Sequence, residues 1–420
     1  MTEVTPEAIV AERDRIGTFG ALQFRNFRLW FIGQTLSMMG TWMQSVAQGY
    51  VVFQLTNSEF ALGAVTFAGS LPTLFLMLFG GVAADRIPKR RLLLMTQTTM
   101  MVLAFILAGL AVKPGVLQVW HVAVLAVLLG LATSFDAPAR QAMAVEMVED
   151  RRYLMNAIAL NSTIFNMARV VGPAVGGVVL AAVGAAWCFG LNGLSFVAVL
   201  AALLMMHFPT APAITVRAAP VMSQLREGID YVWQNVPVRA IIIIVCVSSI
   251  FAASYSVLLP AYAQDVMNVG AVGLGALNVA VGVGALVGSL VVASMAHFGH
   301  KIFVLAVGAI VSPAALVFFA GAPGMPFALA CLVVVGLAIV AQNAMANTTI
   351  QMLVPDDLRG RVMAVYMLTF FGTVPFGALQ AGVLAQAFGT RIAIGVDAGI
   401  TVLVAALVFL TAPALRKLEY

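Results

Sequence analysis

Apolar runs rich in Leu, Ala, Val, Met and Gly follow one another along the chain, separated by short polar turns. None shows the two-residue alternation of a half-buried strand. A helix crosses a bilayer with about 20 apolar residues, whereas a strand needs about 10 alternating ones. In lipid every backbone N–H and C=O must be satisfied internally, and helices of this length do so by themselves. The pattern predicts twelve transmembrane helices, near 27–54, 59–84, 91–112, 118–139, 155–183, 187–208, 238–264, 271–296, 301–320, 326–350, 361–387 and 392–412. The chain is read as an all-α membrane protein. One longer connection, 209–237, divides it into six-helix units at 27–208 and 238–412, with flanking segments 1–26 and 413–420. Leu225, Ile229, Val232 and Val236 in that connection recur at helical spacing and predict an amphipathic surface helix that joins the halves.

Composition agrees with lipid as the folding medium: 62% of residues are hydrophobic and 9% charged, and the mean hydropathy is +1.02. Charge adds an orientation. Arg25 and Arg28, the cluster Arg86, Lys89, Arg90 and Arg91, then Arg140, Arg151 and Arg152 fall at one end. Arg226, Arg239, Lys301, Arg359, Arg361, Arg416 and Lys417 share it, and the opposite loops hold only Lys113 and Arg391. Cytoplasmic loops collect Lys and Arg, so both termini are expected in the cytoplasm. The net charge of +5 follows from that topology and gives no reason to expect a nucleic-acid partner. The first 25 residues are polar and mixed in charge, unlike a signal peptide. Cys188, Cys246 and Cys331 fall inside predicted spans and read as apolar packing, not as disulfides or metal ligands. His297 and His300 read as a solvated loop.

Catalytic motifs are missing where they would have to stand. No lysine sits in a Gly-Lys-Ser/Thr phosphate loop, and neither His-Glu-x-x-His nor Gly-x-Ser-x-Gly occurs. An enzyme has little to stand on, and no catalytic or metal residue is assigned. No selectivity-filter segment stands out either. Secondary transport is the class that remains.

Two features give that class substance. Ala139-Arg140-Gln141-Ala142-Met143 is echoed by Ala341-Gln342-Asn343-Ala344-Met345 at the end of the fourth span of each half, which points to a duplicated unit. Polar stripes also run along apolar helices: Gln34, Ser37, Thr41, Ser45 and Gln48; Ser162, Asn166 and Arg169; Asn343, Asn347 and Gln351; Tyr366, Thr369 and Thr373. Such stripes line a cavity or hydrogen-bond between packed helices; cavity lining is the expectation. Arg169 lies fourteen residues into its span, roughly 20 Å deep at about 1.5 Å per residue. A charge at that depth needs a partner, whether a carboxylate, backbone carbonyls or an anionic cargo group, and Asp136 and Asp397 are the candidate carboxylates. Gly172, Pro173, Gly176 and Gly177 follow it and predict close helix packing with a kink.

Gly81-Val-Ala-Ala-Asp85-Arg86-Ile-Pro-Lys89-Arg90-Arg91 is a charged turn between two apolar runs, placed to pin one helix on its neighbour. This segment resembles the signature loop of the major facilitator superfamily, with Pro88 where a glycine is usual, and Ala168–Gly177 resembles its fifth-helix antiporter signature. Asp136-Ala-Pro-Ala-Arg140-Gln141 and Pro355-Asp-Asp-Leu-Arg359-Gly-Arg361 resemble its enterobactin-exporter and macrolide-efflux branch. The likeness covers residues 20–412. It implies two six-helix bundles that alternate between inward-open and outward-open states, and export driven by the proton gradient with no other cofactor. Gly81 and Asp85 would gate, with Arg86 and Arg90 stabilising the closed cytoplasmic side; Arg169, Asp136 and Asp397 are the coupling or substrate candidates. The second-half copy of the gate, near 288–301, lacks the aspartate, and the fourth span has no arginine in its core.

The expected protein is therefore a monomeric exporter of small amphipathic molecules, drug-like or siderophore, in the cytoplasmic membrane. Uptake of a lysolipid or metabolite, and a non-transporting receptor on the same fold, are the alternatives.

Overall fold

The computed structural model describes residues 17, 19–148, 150–206, 221–294 and 301–412. The terminal segments, most of the connection between the halves, His297, His300 and the side chains of Asp85 and Arg151 lie outside the description. Helices are the only regular structure among the described residues. The first half holds α1 (Arg25–Thr56), α2 (Glu59–Arg86), α3 (Lys89–Val112), α4 (Val119–Glu146), α5 (Leu154–Val183) and α6 (Ala185–Met205). After α7 (Val221–Gln234) come α8 (Val236–Val266), α9 (Gly270–Ser294), α10 (Lys301–Ala320), α11 (Met325–Leu353), α12 (Asp356–Gly372), α13 (Val374–Phe388) and α14 (Thr390–Thr411).

These make twelve spans in two six-helix bundles. Eleven are long and apolar enough to cross a membrane by composition alone. The twelfth is α1, whose 32 residues include the polar stripe that lowers its hydropathy. The eleventh span, Asp356–Phe388, divides into α12 and α13 at Thr373, where Pro375 supplies no N–H to continue the ladder. The eighth helix, α8, carries two π-helical segments, Ser248–Ala252 and Tyr262–Val266.

Local sequence sets the turns. Ser58 caps α2 by accepting from the Ala61 amide, and Asn235 caps α8 through the Val238 amide. That cap ends the amphipathic pattern one residue early, so Val236 opens α8 and does not belong to α7. On α7 itself, Val232 is buried and Glu227 pairs with Arg361 of α12 at 2.5 Å, docking the surface helix on the second half. Gly184 and Gly389, at φ of +89° and +87°, make the tight α5–α6 and α13–α14 turns at matching places in the two halves.

Small residues set the helix crossings, as expected where lipid gives no hydrophobic drive for association. A Cβ on Gly130 of α4 would collide with the Gly69 carbonyl of α2. In the second half, a Cβ on Gly336 of α11 would collide with the Val281 carbonyl of α9. Spans two and four of each half thus cross by the same device.

The apolar clusters reveal how the halves meet. At the basic end, bearing Arg86 to Arg91, one cluster around Trp30, Leu93 and Met143 stays within the first half. A second, around Ile241, Ile350 and Val362, belongs to the second half and α7. At the opposite, plain end the clusters cross: Val46 joins the second-half core around Tyr262 and Phe319, and Ala261 and Ala271 join the first-half core around Phe189. The halves are joined at the plain end and separate at the basic end.

Candidate functional site

A cavity of about 580 Å³ lies where the halves diverge. Its first-half wall is polar: Thr41, Gln44, Ser45 and Gln48 of α1, Thr66, Ser70 and Thr73 of α2, Thr133 of α4 and Asn192 of α6. The second half adds Ser256 of α8 and Asn278 of α9. Trp42, Phe196, Leu259, Leu274 and Phe371 supply apolar surface between them. The lining contains no charged side chain among the described residues. A second cavity of about 230 Å³ shares Thr73 and Phe371 with the first and runs along Gly81, Pro138, Ala364 and Leu368. It is almost wholly apolar and leads toward the basic end.

The plain end is shut by two seams between the halves. On the α2–α13 seam, a Cβ on Gly63 would stand 2.5 Å from the Ala378 carbonyl and 3.1 Å from the Gly382 Cα. Ser58 Oγ donates to Gln386 Oε1 at 2.7 Å, Thr390 Oγ1 to Glu59 at 3.1 Å, and Phe67 meets Phe376 edge-on at 5.9 Å. On the α5–α9 seam, a Cβ on Gly177 would lie 2.9 Å from the Gly275 Cα, and the reverse distance is also 2.9 Å. Only glycine allows backbones this close. Every hydrogen bond between the two bundles among the described residues falls at this end.

The polar stripe of α1 divides between two tasks. Thr41 and Gln48 line the cavity, while Gln34 and Ser37 are 3% and 2% exposed. Gly33, next to Gln34, and Gly40, about one turn beyond Ser37, press directly on α6, so that side of the stripe packs helices together. The other stripes stay outside the cavity. Ser162 is exposed, and Asn166 donates to its carbonyl at 3.0 Å. Asn347 accepts from Gln351 on the same helix, and Tyr366 is buried with its hydroxyl 3.4 Å from the Asn343 carbonyl. Thr369 gives its carbonyl to Thr373 at 2.8 Å. Hydrogen bonding within and between helices, not cavity lining, accounts for these residues.

Arg169 takes neither carboxylate as partner. Its guanidinium lies over the cavity-lining Trp42, 5.9 Å from the ring centroid, and Trp42 meets Phe165 edge-on at 5.8 Å. Asp136, 2% exposed, accepts from Thr96 Oγ1 at 3.0 Å and Gln97 Nε2 at 2.8 Å on α3. Its other oxygen is 3.6 Å from Arg140 Nε, one turn along α4. Asp397 of α14 is equally buried but meets only neutral groups, Gln380 Nε2 at 2.8 Å and Ser254 Oγ at 3.0 Å.

The residues expected to gate lie toward the basic ends of the helices. Helix α2 runs on to Arg86, and the chain turns at Ile87–Pro88. Gly81 lies within the helix facing open space; its neighbour Gly80 makes the tight crossing, against Ser134. Arg90 donates to the carbonyls of Leu203 and Leu204 at 2.7 and 2.9 Å, satisfying the end of α6 where a cation is favoured. Lys89 pairs with Glu146 at 2.5 Å across the α3–α4 ends, and Arg86 is exposed. Helix α5 is continuous through Pro173, with Gly172 and Gly176 pressed on α1 and Gly177 on α9.

Sequence reasoning missed the α2 face, Thr66, Ser70 and Thr73, although its spacing matches the rule applied to α1. It also missed Asn192, whose Nδ2 donates to Gln44 Oε1 at 2.7 Å and fixes an amide at the cavity wall.

Residues 16–420 match the model of the transmembrane secretion effector family. Among curated relatives, the multidrug efflux pump Tap of Mycolicibacterium fortuitum is 28% identical over 90% of this chain and 94% of its own. The enterobactin exporter EntS of Shigella boydii is 26% identical over 81% of this chain and 80% of its own. Among solved structures, a bacterial homolog of the human lysosomal transporter Spinster superposes with a TM-score of 0.74, covering 94% of this chain and 98% of that one at 13% identity.

Proposed function

The chain belongs to the transmembrane secretion effector family of the major facilitator superfamily, and from that premise we propose that it exports small amphipathic molecules by proton-driven alternating access. The observation that carries this reading is the uncharged cavity between the halves, closed at the plain end and continued toward the basic end. The excess of Lys and Arg makes the basic end cytoplasmic. The described conformation is then inward-facing, ready to take cargo from the cytoplasm or the inner leaflet.

The lining selects cargo by chemistry. Hydroxyl and amide groups offer hydrogen bonds in both directions, whereas a fixed charge on the cargo would meet no counter-charge in the wall. A volume of about 580 Å³ suits a compact drug-like molecule. The apolar annex shared through Thr73 and Phe371 would take its lipophilic part. The relatives, a multidrug efflux pump and an enterobactin exporter, support drugs and siderophores as cargo classes. The protein acts as a monomer in the cytoplasmic membrane with both termini inside.

Everted membrane vesicles with an imposed proton gradient and a panel of antibiotics and siderophores test this reading. Cargo-dependent proton release from the acidified lumen is expected, and Gln48→Leu should change which panel members evoke it. A folded protein that moves neither cargo nor protons across the whole panel would overturn it.

A further inference from the structure

We propose that Asp397 is the residue that carries the transported proton, held as a neutral acid between the cavity wall and the plain-end seam. The inference rests on the proton-driven reading above and gives it a site. Ser254 has one hydroxyl hydrogen and two oxygen neighbours, the Phe251 carbonyl at 2.5 Å and Asp397 Oδ2 at 3.0 Å. A carbonyl can only accept, and it is the nearer of the two. With the Ser254 hydrogen directed there, the contact with Oδ2 is a hydrogen bond only when Oδ2 brings its own proton. Gln380 Nε2 donates to Oδ1 at 2.8 Å, so one oxygen accepts and the other donates, as in a carboxylic acid. The Gln380 Oε1 atom is buried with no partner among the described residues, so a further acceptor already stands beside the group.

The surroundings agree with a neutral acid. Helix α14 carries Arg391, and α10 and α8 bring Lys301, Arg239, Cys246, Tyr255, Tyr262 and Asp265. None of these bonds to Asp397, and Tyr262 gives its hydroxyl to the Phe319 carbonyl instead. A carboxylate this buried, without a cation, is the costly alternative.

Position supplies the coupling. Ser254 lies two residues past the π-helical segment Ser248–Ala252, and two residues further on Ser256 lines the cavity. Such segments recur at functional sites. Gln380 lies on α13 beside Gly382 and Phe376, which close the plain-end seam on α2. One carboxyl group therefore ties the wall that meets cargo to the helix that shuts the exit. In the forward step the proton leaves Oδ2 for water and Asp397 becomes a carboxylate, both oxygens of which accept. The Ser254 hydrogen then turns from Phe251 to Oδ2, and the new charge, buried beside the seam with no cation to meet it, favours the arrangement in which the seam parts and admits water.

Two ligand-free measurements on the purified full chain in liposomes decide this. Infrared difference spectra should show a protonated-carboxyl band at neutral pH that is lost in Asp397→Asn and kept, shifted, in Asp397→Glu. In a Ser58→Cys, Gln386→Cys background, disulfide yield across the seam should fall as pH rises. With Asp397→Asn added, which keeps both hydrogen bonds but cannot ionise, it should stay high. Spectra unchanged by Asp397→Asn, or a crosslinking profile that still follows pH in that variant, would overturn the assignment. Missing cargo-dependent proton release in the vesicles would remove the export reading while leaving both measurements to decide Asp397 separately.

Discussion

Among the described residues each half buries one carboxylate, and the two stand in different surroundings. In the first half Asp136 shares its burial with Arg140, and Thr96 and Gln97 complete the set. In the second half Asp397 has an amide and a hydroxyl and no cation. The duplicated segment makes the divergence concrete, because Gln342 stands where Arg140 does and bonds to Ser248 at 2.9 Å. An internal ion pair is fixed, since removing either member strands a charge. A carboxyl group among neutral partners can gain and lose a proton and keep its bonds. The first half thus supplies a rigid wall, and the second supplies the group that responds.

The largest expected effect breaks the fixed pair. Asp136→Ala leaves Arg140 without its counter-charge and should destabilise the protein by about 3 kcal/mol, read as thermal unfolding in lipid. Adding Arg140→Gln, which copies the second half, should restore most of it. Asp397→Asn should shift stability by less than about 1 kcal/mol, since its bonds are kept. Equal losses in the two halves would erase the distinction. Next comes the seam: Gly63→Leu forces a side chain into the Ala378 backbone. Overpacking of about 1–3 kcal/mol should lower seam-closed occupancy and transport roughly tenfold or more. A single cavity group matters less, and Ser70→Val should raise KM for a hydrogen-bonding cargo roughly fivefold, equivalent to about 1 kcal/mol. Smallest is Arg90→Ala, which removes two donors from the end of α6 and should lower stability by about 0.5–1 kcal/mol.

Much of the fold was legible because lipid admits few solutions: an apolar run of sufficient length must be a helix, and Lys and Arg mark one end. The ends of α2 and α10 show how tightly composition fixes a span. Direction around a helix was less legible. Gln34 and Thr41 share a stripe, but the close approach of Gly33 and Gly40 to α6 turns one inward and leaves the other at the cavity. Partner choice was the least legible. Depth alone gave Arg169 a carboxylate, whereas a neighbouring indole face meets it in the fold, and Asp136 was already taken by the arginine one turn away on its own helix. Spacing four residues apart carried that signal, overlooked in favour of a longer-range pair.

Alternating access requires the two ends to open in turn. Paired spin labels at Arg86 and Met352 report the basic end, and labels at Phe60 and Phe388 report the plain end, each pair placed on opposite halves. In liposomes, raising pH should shorten the first distance distribution and lengthen the second. Two distributions that stay fixed, or that move in the same sense, would contradict alternating access in this protein.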